Sequence, residues 1–173
     1  MKRALTVVCC LSFFSLSVLA EKRPTKAAAM GDQQFVSFAA QTDMVEANLG
    51  QLAQTAATAK PVRDYAQTIV TDHTSDFGQL NNAARNAGLK VPSAIDAEHD
   101  KTTIIPFQRL KGAAFDQRYL QEMIAKQSSG IAIYKREAAN GRNPALKSYA
   151  DKTLPVLEKD LANAKNLEKS KTS

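Results

Sequence analysis

Glu46, His73, Asp76 and Asp160 stand where an otherwise helical chain should be burying apolar side chains. Carboxylates and an imidazole are the donor types that hold a divalent transition-metal ion, and facing helices can project such a set inward. They are also the parts of a hydrogen-bonded cluster that fixes helix register, because a buried charge is costly unless it is paired or coordinated. Both readings stay open, with a register-fixing pair of Glu46 and His73 slightly favoured over a site for one metal ion. Gln127 interrupts a third apolar stripe at mid-helix and is a poor transition-metal ligand. The chain shows no Ser-His-Asp set, Gly-rich phosphate loop or Cys nucleophile in support of hydrolytic or transferase chemistry. A non-catalytic protein is therefore expected rather than an enzyme.

Long helices must position these residues. Gly and Pro are few and cluster at breaks: Gly31, Pro61, Gly88, Pro92, Pro106, Gly112, Gly141 and Pro144. Between the breaks, helices are expected at 32–57, 61–87, 113–139 and 143–169. A shorter one is expected within 93–110, capped by Ser93. Pro61 and Pro144 suit a first helical turn, and Asn143 suits an N-cap. Each long segment carries a stripe at alternating spacings of four and three. Phe35, Ala39, Thr42, Glu46, Leu49 and Ala53 form one; Val62, Ala66, Ile69, His73, Asp76 and Leu80 form the next. Leu120, Ile124, Gln127, Ile131 and Tyr134 form the third, and Leu146, Ala150, Thr153, Leu157 and Asp160 the fourth. Four such stripes predict an all-α four-helix bundle.

The chain reads as two helical hairpins separated by about 25 residues, far more than a tight turn needs. Such a stretch can run back along the bundle, leaving helices two and three parallel, which is the ferritin-like arrangement. Height can also be read. The first hairpin turns at residues 59–60, with Glu46 and His73 at equal distances on either side, so a rise of about 1.5 Å per residue puts them at one level. Asp76 lies one turn from His73. Pro155 inside the fourth helix removes a backbone donor and predicts a bend. Lys126 and Lys159 are possible ion-pair partners for Asp160, and His99 is expected to cap or line the crossover.

The first twenty residues have a different character. Lys2 and Arg3 precede an apolar run, Ala4 to Val18, and "SVLA" closes it. This predicts a secretory signal peptide over 1–20, cleaved after Ala20. The run is shorter than the roughly 20 residues of a spanning helix. Cys9 and Cys10 lack the small preceding residue of a lipoprotein signal, so both should leave with the peptide. Residues 21–31 read as a flexible tether, and 32–169 as the bundle domain. Without Lys2 and Arg3, 21 basic residues face 17 acidic ones. That balance, with no run of five like charges and no aromatic platform, argues against nucleic acid as a partner. An envelope protein remains a possible partner, and the mature chain has no predicted spanning segment.

The segments "FVSFAAQTDMVEANLGQLA", "VRDYAQTIVTDHTSDFGQL", "DAEHDK", "LKGAAFDQRYLQEMI" and "LKSYADKTLPVLEKDLANA" together resemble the domain of unknown function 4142 family. The resemblance covers about residues 32–168. It implies a ferritin-like bundle in a small exported bacterial protein of unsettled role, periplasmic or associated with the outer membrane. Such proteins keep residues like Glu46 and the Asp72–His73 pair. They usually carry further histidines where this chain has Gln127 and Asp160. If those histidines bind metal, this chain has an altered site, in which Glu46, His73, Asp76 and Asp160 could hold one divalent transition-metal ion. The paired Glu-x-x-His motifs of a di-iron oxidase are missing.

Overall fold

The structure, a computed structural model, describes residues 30–171. The expected signal peptide and nearly all of the tether lie outside the described residues. Four long helices form: α1 (Asp32–Ala56), α2 (Lys60–Asn86), α5 (Gly112–Asn140) and α6 (Pro144–Lys171). Between α2 and α5 lie α3 (Ala97–His99), a π turn (Asp100–Ile104) and α4 (Ile105–Gln108). The long helices match the sequence expectation to within a few residues. Pro61 sits in the first turn of α2. The Asn143 Oδ1 accepts the Ala145 N–H at 2.9 Å and caps α6. Helix α6 continues through Pro155. Ser93 is not the cap of the crossover helix. Asp96 takes that place, its Oδ1 accepting the His99 N–H at 2.8 Å.

Asp116 fixes the topology. Its two carboxylate oxygens accept the N–H groups of Thr58 and Ala59, at 3.0 and 2.9 Å. The start of α5 is thereby tied to the α1–α2 turn, so α5 sets out from the same end as α2 and the two run parallel. The crossover makes this possible by descending along α1. Two glutamines on that helix hold it in place. Gln33 clasps Lys90, donating to its carbonyl at 2.8 Å and accepting its N–H at 3.2 Å. Two turns further on, Gln41 donates to the Ala94 carbonyl and accepts the Asp96 N–H, both at 3.0 Å. Each amide satisfies backbone groups that no helix or sheet would otherwise pair. The arrangement is the ferritin-like one.

Helices α1 and α2 pack closely at Gly50. A methyl group there would lie 2.8 Å from Val70 Cγ2 and 2.9 Å from the Ala66 carbonyl oxygen, so only glycine permits the approach. The apolar core divides in two. Around the α1–α2 turn, Leu49, Ile69, Phe107, Phe115 and Tyr119 pack together. Around the opposite end, Phe35, Leu80, Tyr134, Leu146 and Leu157 do so. Between the halves lies a belt of buried polar side chains.

Candidate functional site

The belt is built one helix at a time. Asp43 and Glu46, one turn apart on α1, are 1% and 0% exposed. His73 and Asp76 on α2 are 1% and 2% exposed. Helix α5 contributes Gln127, and α6 contributes Thr153 and Asp160, all buried. Every long helix thus puts at least one polar group into the same layer.

His73 is the hub. Its Nδ1 lies 2.9 Å from Asp43 Oδ1, and its Nε2 lies 3.1 Å from Glu46 Oε2. Gln127 Nε2 also donates to Glu46 Oε2, at 2.8 Å. Glu46 Oε2 therefore lies within reach of both Gln127 and His73. Gln127 Nε2 also stands 3.2 Å from His73 Nε2, placed to donate to that nitrogen when it carries no proton. Carboxylates only accept when ionised, so facing one at each nitrogen calls for a proton on both. Burial opposes charge on His73, but the Glu46 and Asp43 carboxylates outweigh it and hold the imidazole well above its ordinary value. The ring stands between two carboxylates across α1 and α2, an arrangement that favours its protonated form.

The remaining carboxyls are less well served. Asp76 accepts one hydrogen bond, from Gln79 at 3.2 Å, and its second oxygen has no partner. Neither oxygen of Asp160 has a hydrogen-bond partner; Lys159 Nζ approaches Oδ1 only to 3.9 Å. Lys159 is instead bound to Asp72 at 2.8 Å, linking α6 to α2 at the surface. Lys126 lies 3.6 Å from Glu122. Burial pushes the carboxyls up: Asp43 and Asp160 to about 6, Asp76 to about 7. For Asp76 the neighbouring Asp43 carboxylate adds to the rise, and for Asp160 the nearby Asp72 does. Tyr65 and Tyr119 flank the belt with buried, unpartnered hydroxyls. Burial pushes both phenols upward, so neither supplies negative charge.

The four residues singled out from the sequence all lie in this belt. The structure joins Glu46 to His73 directly and adds Gln127 to the pair, while Asp76 and Asp160 line the belt beside them. Asp43 is the member that the stripe pattern missed. Both nitrogens of His73 face hydrogen-bonding partners within the belt. Among the described residues, no group of three or more His, Cys, Asp or Glu is disposed to hold an ion. His99 lies outside the belt, its Nδ1 2.8 Å from Asp96 Oδ1. Among the described residues, no helix is long and apolar enough to cross a membrane.

The bundle is similar to the crystal structure of a DUF305 fragment from Deinococcus radiodurans, with a TM-score of 0.69 at 15% identity over 83% of this chain and 98% of that one. It is also similar to a DUF305 protein from Streptomyces coelicolor, described as secreted, with a TM-score of 0.58 at 18% identity over 75% and 88% of the two chains. At these identities the likeness establishes the shared helical fold. No curated protein matches the chain. The profile of the family described as Domain of unknown function (DUF4142) matches residues 18–167, a span that holds the whole polar belt, and this chain belongs to that family.

Proposed function

We propose that the protein is an exported, non-catalytic binding protein of the cell envelope, periplasmic or associated with the outer membrane. Its polar belt is a charge-locked register, not a reaction centre. The carrying observation is the engagement of both His73 nitrogens by carboxylates, at 2.9 and 3.1 Å. A general base needs a free lone pair, and so does a histidine ligand; a ring protonated at both nitrogens offers none. The bundle it locks is a rigid body suited to presenting its surface to an envelope partner, with a role in stress adaptation. Export is supported by the basic head, apolar run and "SVLA" site of residues 1–20, and by the description of the Streptomyces coelicolor relative as secreted.

A second reading, one divalent ion in the belt, rests on the free oxygens of Asp43, Asp76 and Asp160. Such an ion would be held by oxygen donors, with His73 left in place. One experiment separates the two. Protein purified from the periplasmic fraction without a His-tag is weighed intact, assayed for zinc, manganese and iron, and melted with and without added metal. We expect a chain beginning at Glu21 with no bound metal, and a melting temperature that metal does not move. One retained ion per chain, with a stabilisation of about 2.7 kcal/mol at a hundredfold excess over Kd, would establish the metal reading instead.

A further inference from the structure

The crossover has an outer face of its own. From Ala97 to Gln108 its residues are continuously helical, through α3, the π turn and α4. One face packs down, with Thr103, Ile104 and Phe107 buried. The other carries Lys101 and Ile105 and, one residue past the helix, Arg109, at intervals of four. All three are exposed. Ile105, at 37%, is the one large apolar side chain that the fold leaves exposed among the described residues.

Cations flank it. Lys101, Arg109 and Lys111 are exposed, and none has an ion-pair partner among the described residues. The turn between α1 and α2 adds to them. A methyl group on Gly112 would lie 3.3 Å from Thr58 Oγ1, which places Lys111 beside that turn. Arg63 caps the turn, donating to the Ala57 and Thr58 carbonyls at 2.9 and 2.7 Å. Lys60 supplies an ammonium whose pair with Asp64 lies in solvent, where such a pair contributes little. Arg118 reaches over the Phe107 ring at 5.9 Å while holding Glu122 at 3.2 Å. The acids of the helical stretch, Glu98 and Asp100, stand near its start, away from Arg109 and Lys111.

We propose that this corner, Ile105 with Lys101, Arg109, Lys111 and the α1–α2 turn, docks on an anionic phospholipid surface. A lone apolar side chain among cations fits the boundary between charged headgroups and acyl chains, where buried apolar area and attraction to anionic lipid add. A protein interface is built around an apolar core of several side chains, which this corner lacks. The inference rests on the reading of the bundle as an envelope-binding protein and names its partner. It fails separately from that reading, because a chain that binds no vesicle can still be exported and free of metal.

The test is co-sedimentation of the full mature chain, residues 21–173, with vesicles of phosphatidylcholine alone and of equimolar phosphatidylcholine and phosphatidylglycerol. The mixed vesicles should bind it about tenfold more tightly or better, and the binding should fade as salt is raised. Arg109→Gln and Lys111→Gln should each weaken it about fivefold, the equivalent of about 1 kcal/mol per cation near the surface. The chain has no tryptophan, so Ile105→Trp reports on one position alone. Its emission should move to the blue on the mixed vesicles, whereas that of Asn86→Trp, at the other end of α2, should stay where it is. All four substitutions fall at exposed positions, and circular dichroism should match the parent's. Equal binding to both vesicles, full affinity in a folded Arg109→Gln, Lys111→Gln double variant, or equal shifts from the two tryptophans would each overturn the assignment. Tighter binding to soluble polyglutamate than to the mixed vesicles, with no shift at Ile105→Trp, would overturn it in favour of an acidic polypeptide.

Discussion

Replacing His73 with Ala should cost about 3–5 kcal/mol of folding stability, the range for removing one partner from a buried ion pair. The ring is 1% exposed and is the cation that Asp43 and Glu46 share. Without it, two carboxylates one turn apart on α1 face a cavity with no counter-charge. The cost comes from stranded charge more than from lost volume, and substitutions at Glu46 test that distinction. Glu46→Gln keeps an oxygen that can accept from both His73 and Gln127, and it removes one negative charge. It should cost no more than about 1 kcal/mol. The double variant His73→Ala with Glu46→Gln should then be clearly less damaging than the two losses added, because the sites share one interaction. Urea unfolding of the four chains gives the cycle. A loss below about 1 kcal/mol for His73→Ala, or strict additivity, would mean that the belt does not hold the helices together.

Acidification from pH 8 to pH 5 should stabilise this protein. Asp43 and Asp160 ionise at about 6 and Asp76 at about 7 in the fold, against 3.8 unfolded. Raised carboxyls bind more protons folded than unfolded, so their contribution is complete below the unfolded value and is lost as pH rises through the folded one. His73 acts in the same direction: its folded value lies well above 6.5, so its contribution is complete below 6.5 and fades at higher pH. Asp96 opposes them, since the His99 N–H holds it below its ordinary value. It is exposed and titrates in a lower range. One carboxyl raised by two units corresponds to about 2.7 kcal/mol. We therefore expect a gain of about 3 kcal/mol between pH 8 and pH 5, read as a rising urea midpoint. A flat or falling profile would contradict the burial of these charges. Asp76→Asn with Asp160→Asn should make the profile shallower, leaving the part due to Asp43 and His73.

The sequence carried more of the large-scale arrangement than of the site's detail. Glu46 and His73 meet because they lie equally far from the 59–60 turn, a relation visible in a helical hairpin from residue number alone. The long crossover announced itself by its length, and its descent along α1 follows. Asp43 escaped because a stripe started at Phe35 with alternating fours and threes selects Thr42. The real buried face includes Val36, Ala39, Ala40, Asp43, Glu46 and Gly50, drifting as a 3.6-residue helix must. The signal was present: Asp43 is as far before the turn as Asp76 is after it, so the two acids share a level. Thr42 instead lines a cleft between α1, the crossover and α5. Ser93 and Asp96 are both capping residue types, and local pattern does not separate them. Gln41 decides by pinning the Asp96 backbone from another helix. The free oxygens of Asp160 were not legible either, because they depend on Lys159 turning to Asp72.

The central claim is that His73 is an imidazolium held between Asp43 and Glu46 and closed to metal. The direct measurement is nitrogen-15 NMR of the His73 side chain, assigned with a His99→Gln chain and followed from pH 5 to pH 8. The account predicts two protonated ring nitrogens throughout that range, unchanged by added zinc. A single protonated nitrogen at neutral pH, or a zinc-dependent shift of either His73 nitrogen, would contradict it.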